Sequence, residues 1–398
     1  MKVTRIEVLQ ADLSGRDSMA SWNVVLARVH TDEGISGLGE AGMAYGTGAP
    51  AVGPMILTLG ERFVLGADPF HTDTIWENLL RRSVWAEGGG PVVFAAISAI
   101  DAALWDIKGR ALGQPVHRLL GRSTPEPLRC YASQLHLGWG EDGQWVGEPA
   151  QFRDVAAQVR GLGFDCVKVN PIMTDHDGKK VTAGLRGLLT PMQRGLFRKR
   201  MEAVREGLGP NVDIILELNS MTSTVGALQI AEVVRDLNIL FIEEPTHPNS
   251  EHAHLKVARK SPIPLATGER LYTRWGFMPY LEAGAVDMIQ PDVCLVGGIS
   301  EAYRVAHMAH AYDVGVQAHV CGSPLATAIA LQFEAGIPNF AIHEHHSYAT
   351  RPANRELFEE DLQPENGKFT VPTRPGFGMT LRRDAEERMT KAGVELRT

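Results

Sequence analysis

Three short stretches decide the fold: DIILELN at 213–219, LFIEEP at 240–245 and PLATGER at 264–270. Each is an apolar run ending in a carboxylate, and Glu217, Glu243 and Glu269 are spaced 26 residues apart. That interval holds one strand and one amphipathic helix, so the three stretches read as successive βα units with carboxylates at matching heights. Working outward, the same alternation extends in both directions. Apolar runs occur at 129–133, 166–169, 214–218, 240–242, 264–267, 287–289, 315–318 and 340–342. Eight such units close into a (β/α)₈ barrel, whose active site lies at the C-terminal ends of the strands. The predicted fold class is therefore α/β, with a TIM-type barrel over residues 126–370.

Residues 1–125 have a different character. Two β-type runs at 3–10 and 22–30, the turn Thr31-Asp32-Glu33-Gly34 and a third run at 35–40 predict a small antiparallel sheet. A helix over 95–112 follows, with Ile97, Ile100, Ala103, Leu104 and Ile107 at helical spacing, and Gly113, Gln114 and Pro115 ending it. Gly121 closes a second short helix. This block is an α+β domain. Within the barrel, residues 171–200 are long, polar and basic (Lys179, Lys180, Arg186, Arg194), which predicts a lid or a substrate or oligomer contact.

At 398 residues the chain exceeds one hydrophobic core, and 44% hydrophobic with 22% charged residues is an ordinary globular composition. A net charge of -8 argues against nucleic acid as a partner. No apolar stretch reaches bilayer-spanning length and MKVTRIEVLQ lacks a signal-peptide core, so no membrane role is expected. Cys130, Cys166, Cys294 and Cys321 form no CxxC pair, which favours a reducing cytoplasm over a disulfide framework or zinc site.

The strand ends carry the chemistry. Three carboxylates converging over the barrel mouth are tolerable only with a cation between them, and hard oxygen donors suit Mg²⁺. Successive strand residues face opposite ways, so one of Glu243 and Glu244 aims inward, and the spacing selects Glu243. The sixth strand ends in Asp292 and the seventh in His319, adjacent positions where a carboxylate can orient an imidazole as a general base or acid. Lys168 and Asn170, two apart on the second strand, face inward together, with Lys168 across from His319 and its pKa open to lowering by desolvation and nearby cations. Glu344 ends the eighth strand, within reach of a substrate carboxylate or its metal.

Together these residues resemble the enolase superfamily, in its mandelate racemase/muconate lactonizing enzyme branch, over nearly the whole chain. AIDAALWDIKG at 99–109 matches the capping-domain helix, and EEP at 243–245, GER at 268–270, QPD at 290–292 and GGI at 297–299 match the barrel markers. The resemblance implies an N-terminal capping domain, Mg²⁺ on Glu217, Glu243 and Glu269, and Asp292 with His319 as acid/base. A C-terminal segment, 371–398, is expected to pack back on the capping domain. Gly268-Glu269-Arg270 and Lys168-Val169-Asn170 look most like acid-sugar dehydratases of the D-galactonate, gluconate and D-mannonate type. Two departures stand out: Asn170 replaces the second lysine of Lys-x-Lys, and Asn219 replaces a histidine after the third-strand ligand. His319 remains the family-matched histidine, and Lys168 the base available on the other face.

The expected enzyme is a carbon–oxygen lyase. It takes the proton α to the carboxylate of an aldonic or aldaric acid and expels the β-hydroxyl, giving a 2-keto-3-deoxy acid. Elimination is anti if Lys168 is base and His319 acid, and syn if His319 does both. Asn170, Asn219, Arg270, Tyr45, Trp22 and Trp85 are the expected substrate contacts, the last three from capping-domain loops over the barrel mouth. His247, His345 and His346 are expected near the mouth, while Cys321 and Ser323 are expected to be structural. The rival readings are a racemase, epimerase or cycloisomerase on the same site, and a non-catalytic sugar-acid binding protein. The expected partners are a small-molecule acid sugar and further copies of the chain, as a dimer, tetramer or octamer.

Overall fold

The computed structural model describes residues 1–17, 21–123, 126–175, 179–181 and 184–396. Pro125 at the expected domain boundary, and parts of the expected 171–200 loop and 371–398 segment, lie outside the described residues. Strands β1 (Val3–Asp12), β2 (Asn23–Thr31) and β3 (Ser36–Glu40) form an antiparallel sheet that β13 (Thr390–Glu395) completes, in the order β13-β1-β2-β3. Ile6 lies opposite Val29 and Val8 opposite Ala27, so one face of the hairpin is apolar and buried. That face packs under α1 (Ala49–Phe63), α2 (Thr72–Arg81) and α3 (Pro91–Leu112). The helix begins four residues before its predicted start because Pro91, with its fixed φ, opens the first turn. It crosses β3 so closely that a Cβ on Gly37 or Gly39 would lie 2.2 or 2.0 Å from a carbonyl oxygen of Ala103 or Ala99. Only glycine permits that approach.

After the short α4 (Val116–Leu119), eight parallel strands follow: β4 (Leu128–Ser133), β5 (Cys166–Val169), β6 (Asp213–Glu217), β7 (Ile239–Glu243), β8 (Leu265–Thr267), β9 (Met288–Ile289), β10 (Gly315–Val316) and β11 (His343–His346). Between them run α5 (Pro149–Gly161), α6 (Pro191–Leu208), α7 (Thr224–Val234), α8 (Glu251–Ala258), α9 (Thr273–Glu282), α10 (Gly298–Ala311) and α11 (Pro324–Glu334). The sheet runs unbroken from β10 back to β4 and on to β11, and β12 (Lys368–Phe369) pairs antiparallel with β4. A parallel bridge between Val316 and Phe340 closes the ring, with Val316 N–H donating to Asn339 O at 2.8 Å and Ala341 N–H to Val316 O at 2.9 Å. The fold is a TIM-type α/β barrel with an α+β region in front of it.

The eighth strand departs from expectation. Phe340 makes the closing bridge, but the pairing with β4 begins at His343. HEHH at 343–346 does not read as a strand because it has no apolar member; it is buried through specific contacts, His343 Nδ1 with Glu334 Oε2 at 2.6 Å, Glu344 with Lys168, and the His345 ring against Trp139, Phe164 and Phe369. Inside the barrel, Tyr131, Cys166, Ile215, Phe241, Ala266 and Ile342 pack as the floor. Above that floor the inward side chains become polar.

Candidate active site

Glu217 and Glu243 are register partners at the ends of β6 and β7. Glu269 reaches the same point from just beyond β8, after Gly268 at φ +146°, where any Cβ would lie 2.7 Å from Gln290 N. One oxygen of each carboxylate lies within 4.8 Å of the others. Glu217 is fully buried, and burial together with Glu243 beside it pushes its carboxyl well above the usual range. Its Oε2 has no hydrogen-bond partner. A buried carboxylate oxygen with no hydrogen bond, its cation the Lys168 ammonium 3.6 Å away, facing two further carboxylates is a costly arrangement that a hard divalent cation would relieve, and the all-oxygen donor set fits one. Glu244 points elsewhere: it accepts from Ser220 Oγ at 3.1 Å and pairs with Arg270 at 3.1 Å, and burial lifts it to about 8.

The strand ends at Asp292 and His319 form a parallel bridge, which brings Asp292 Oδ2 to 2.8 Å from His319 Nδ1. The other carboxylate oxygen of Asp292 accepts from Cys294 N–H at 2.8 Å, fixing the ring's orienting partner. His319 Nε2 is thereby turned toward the carboxylate trio, 3.6 Å from Glu269 Oε2. Burial opposes a charge on this ring, but Glu269, Asp292 and Glu344 outweigh it and raise its pKa to about 10.

Lys168 faces the carboxylate trio as the strand period suggested, but it and Glu344 lie lower than the mouth. Lys168 is level with Ile215, two residues below Glu217, so its ammonium lies under the trio rather than beside the mouth. It is fully buried between Glu243 Oε1 at 2.6 Å, Glu344 Oε1 at 2.7 Å and Glu217 Oε2 at 3.6 Å. Burial alone would lower its pKa, but the surrounding carboxylates hold it well above the ordinary value, which corrects the expected lowering. Glu344, level with Tyr131, spends both oxygens inside the protein on Lys168, Ser133 Oγ and Val320 N–H. Burial opposes its charge, but Lys168 above all holds it down at about 2. It bonds no mouth group, and neither residue borders the cavity above.

That cavity, of 340 Å³, is lined by Glu269, Arg270, His319, Asn219, Tyr45, Cys321 and His346, among others. Asn219 borders it, held by Asn170 Nδ2 at 2.7 Å, whereas Asn170 itself is buried behind. Trp22 does not reach the cavity: it is fully buried, with its indole N–H on Asn354 Oδ1 at 3.3 Å and its ring against His346 and Tyr348. Trp85 is 86% exposed and is not among the residues that line it. Tyr45, bridged to Trp22 through the backbone, is the aromatic of the first region that lines the site. His345 is also displaced, buried among Trp139, Phe164 and Phe369. Ser323 caps α11 as a structural residue, and His247 borders a second, outer cavity.

One group escaped the sequence reading. His136, just beyond β4, lines the cavity, and burial lowers its pKa to about 3, as it does for His346. The signal was its place after the first barrel strand, the same position that singled out the residues on the other strands.

Residues 7–121 match the family model "Mandelate racemase / muconate lactonizing enzyme, N-terminal domain", and residues 151–385 match "Enolase C-terminal domain-like". The chain is similar to D-xylonate dehydratase from Haloferax volcanii, at 30% identity over 364 residues covering 91% of this chain and 84% of that protein. Among solved structures it is similar to a member of the enolase superfamily from Salmonella Typhimurium, with 41% identity, TM-score 0.95, and 99% and 100% of the two chains covered. It is also similar to the 3,6-anhydro-D-galactonate cycloisomerase from Zobellia galactanivorans, with 27% identity, TM-score 0.82, and 97% and 99% coverage.

Proposed function

The chain belongs to the mandelate racemase/muconate lactonizing enzyme family of the enolase superfamily, and from that premise we propose that it is a Mg²⁺-dependent acid-sugar dehydratase. The similar protein from Haloferax volcanii is named a D-xylonate dehydratase. The observation that carries the reading is the adjacency of the acid/base pair and the carboxylate trio, His319 Nε2 lying 3.6 Å from Glu269 Oε2. Glu217, Glu243 and Glu269 would hold the ion. When bound there, it supplies positive charge for the substrate carboxylate and so acidifies the α-proton.

With a cation on the trio offsetting the Glu269 charge that holds its ring protonated, His319 takes the α-proton on Nε2, and Asp292 holds Nδ1 so that the second nitrogen faces the substrate. The electron pair left on the α-carbon forms the new double bond and expels the β-hydroxyl. His319 returns its proton to that leaving group, which departs as water, and the enol product tautomerises to a 2-keto-3-deoxy acid. Because the Lys168 ammonium is enclosed beneath the trio, His319 serves both steps and the elimination is syn. Asn219 and Arg270, at the cavity wall, hold substrate hydroxyls.

The test is a library of aldonic and aldaric acids incubated with protein and Mg²⁺, scored for keto acid with semicarbazide. Deuterium exchange at the α-carbon without keto acid would favour a racemase or cycloisomerase instead, the second of these being the name of one relative. No exchange with any acid would point to a binding protein. The division into a capping domain at 1–125, a barrel at 126–370 and a returning segment at 371–398 is part of the same reading, supported by the pairing of β13 with β1. So are a cytoplasmic setting and an even-numbered homo-oligomer, the latter read by light scattering; among the described residues no helix is long and apolar enough to cross a membrane.

A further inference from the structure

The catalytic cavity does not end at His319. It shares Asn219, Met221 and Arg270 as wall residues with an outer cavity of 910 Å³, so the two adjoin at the Arg270 side chain. The outer wall is chemically one-sided. Lys180, Arg186, His247 and Arg270 line it, and among the described residues no Asp or Glu does. In a chain of net charge -8 that local excess runs against the overall balance. Arg270 is already neutralised by Glu244 at 3.1 Å and Glu269 at 2.9 Å, which makes it the neck between the cavities. Among the described residues the other two cations, Lys180 and Arg186, have no carboxylate partner. Arg186 makes no ion pair among the described residues, and Lys180 has the Trp145 ring, 5.1 Å away, as its partner.

Uncompensated cations around a concave, partly enclosed space concentrate anions there, and a guanidinium matches carboxylate and phosphate oxygens two at a time. A neutral polyol end could accept hydrogen bonds from these groups but would leave both charges uncompensated. We propose that the substrate is an acid sugar with a second anion at its far end, a carboxylate or a phosphate, received by Lys180, Arg186 and His247 in the outer cavity. This rests on the dehydratase reading, since it assumes that the first carboxylate sits at the Glu217–Glu243–Glu269 trio. The substrate then spans both cavities, its reacting carbons beside His319 and its distal charge beyond Arg270. His247, with Nδ1 accepting from Asn249 N–H at 3.2 Å, keeps its other ring nitrogen for the anion.

The experiment compares, in the Mg²⁺-loaded enzyme, aldonic acids with the aldaric acids and terminally phosphorylated aldonic acids of the same length and configuration. At least one dianionic series should exceed the aldonic series by ~10-fold or more in kcat/KM, the value of one charge-assisted contact. The aldaric and phosphorylated arms identify which anion it is. Arg186→Gln and Lys180→Gln, both at exposed positions, should each collapse that preference through KM for the dianion rather than through kcat. Keto acid from aldonic acids at equal or better efficiency, or a preference that survives the double variant, would overturn the inference and leave the dehydratase reading standing. Keto acid from none of the three series would overturn both.

Discussion

Glu40, at the end of β3, is the side chain through which the first sheet grips the barrel, and replacing it gives a pH-dependent result of calculable sign. Its carboxylate accepts from Ser323 N–H at 2.8 Å, from the Ser323 hydroxyl, and from Ala326 N–H at 3.1 Å. These are the unpaired donors at the start of α11, the helix that follows the His319 strand. Burial dominates over those bonds and raises the Glu40 pKa from 4.5 to about 7, with Asp292 adding in the same direction. A carboxyl whose folded pKa is raised binds more protons when folded, so its contribution is complete below pH 4.5 and is lost as pH rises through about 7. Linkage over that interval puts the loss at about 2.5 kcal/mol between pH 5 and 8. Glu40→Gln cannot titrate, and its amide leaves Ala326 N–H facing a donor, a cost of about 1–3 kcal/mol. Urea unfolding of both proteins from pH 5 to 8 should show a variant that is weaker at pH 5 and closes the gap by about 2.5 kcal/mol at pH 8, because groups common to both proteins cancel. A deficit independent of pH would refute the reasoning.

Three further outcomes are expected. His319→Asn should lower turnover roughly 10²–10⁴-fold while calorimetry still finds Mg²⁺ bound, and Asp292→Asn should lower it less; an active His319→Asn enzyme would remove His319 from the chemistry. Glu217→Gln, Glu243→Gln and Glu269→Gln should each weaken Mg²⁺ binding measured directly, with Glu244→Gln near wild type, and equal loss in all four would mean that Glu244 is a ligand too. Lys168→Met should strip the counter-charge from Glu243 and Glu344 and cost about 3–5 kcal/mol in urea unfolding with a chelator present; an unchanged midpoint would contradict the buried ion-pair geometry.

The carboxylate trio was legible because βα units of equal length place their strand ends at equal heights, and spacing in the sequence reports that directly. The Asp292–His319 pair was legible for the same reason. Lys168 and Glu344 were misplaced because alternation tells which way a strand residue faces but not how deep it lies. Lys168 sits opposite Ile215 and Glu344 opposite Tyr131, the level of the barrel floor, a fact carried by register between strands far apart in sequence. Trp22 and Trp85 failed for another reason. Loop position brought both regions near the barrel, but the direction of each ring is set by tertiary partners such as Asn354 and His346 that no local pattern names. The late start of β11 belongs with these, since the burial of HEHH rests on tertiary contacts such as Glu334 and Lys168 that no local pattern names.

The pairing of β13 with β1 joins the earliest strand of the chain to the latest. During synthesis β1 and β2 can form their hairpin almost at once, but β13 emerges only after all eight barrel strands have been made. At ordinary elongation rates that delay is roughly 20–80 s. Throughout it β1 presents an open ribbon edge, with its N–H and C=O groups free to recruit a neighbouring nascent chain. A ribosome that stalls inside the barrel therefore releases a product with a sticky flank, and deleting residues 390–396 should yield aggregates during expression even though the barrel's own residues are intact.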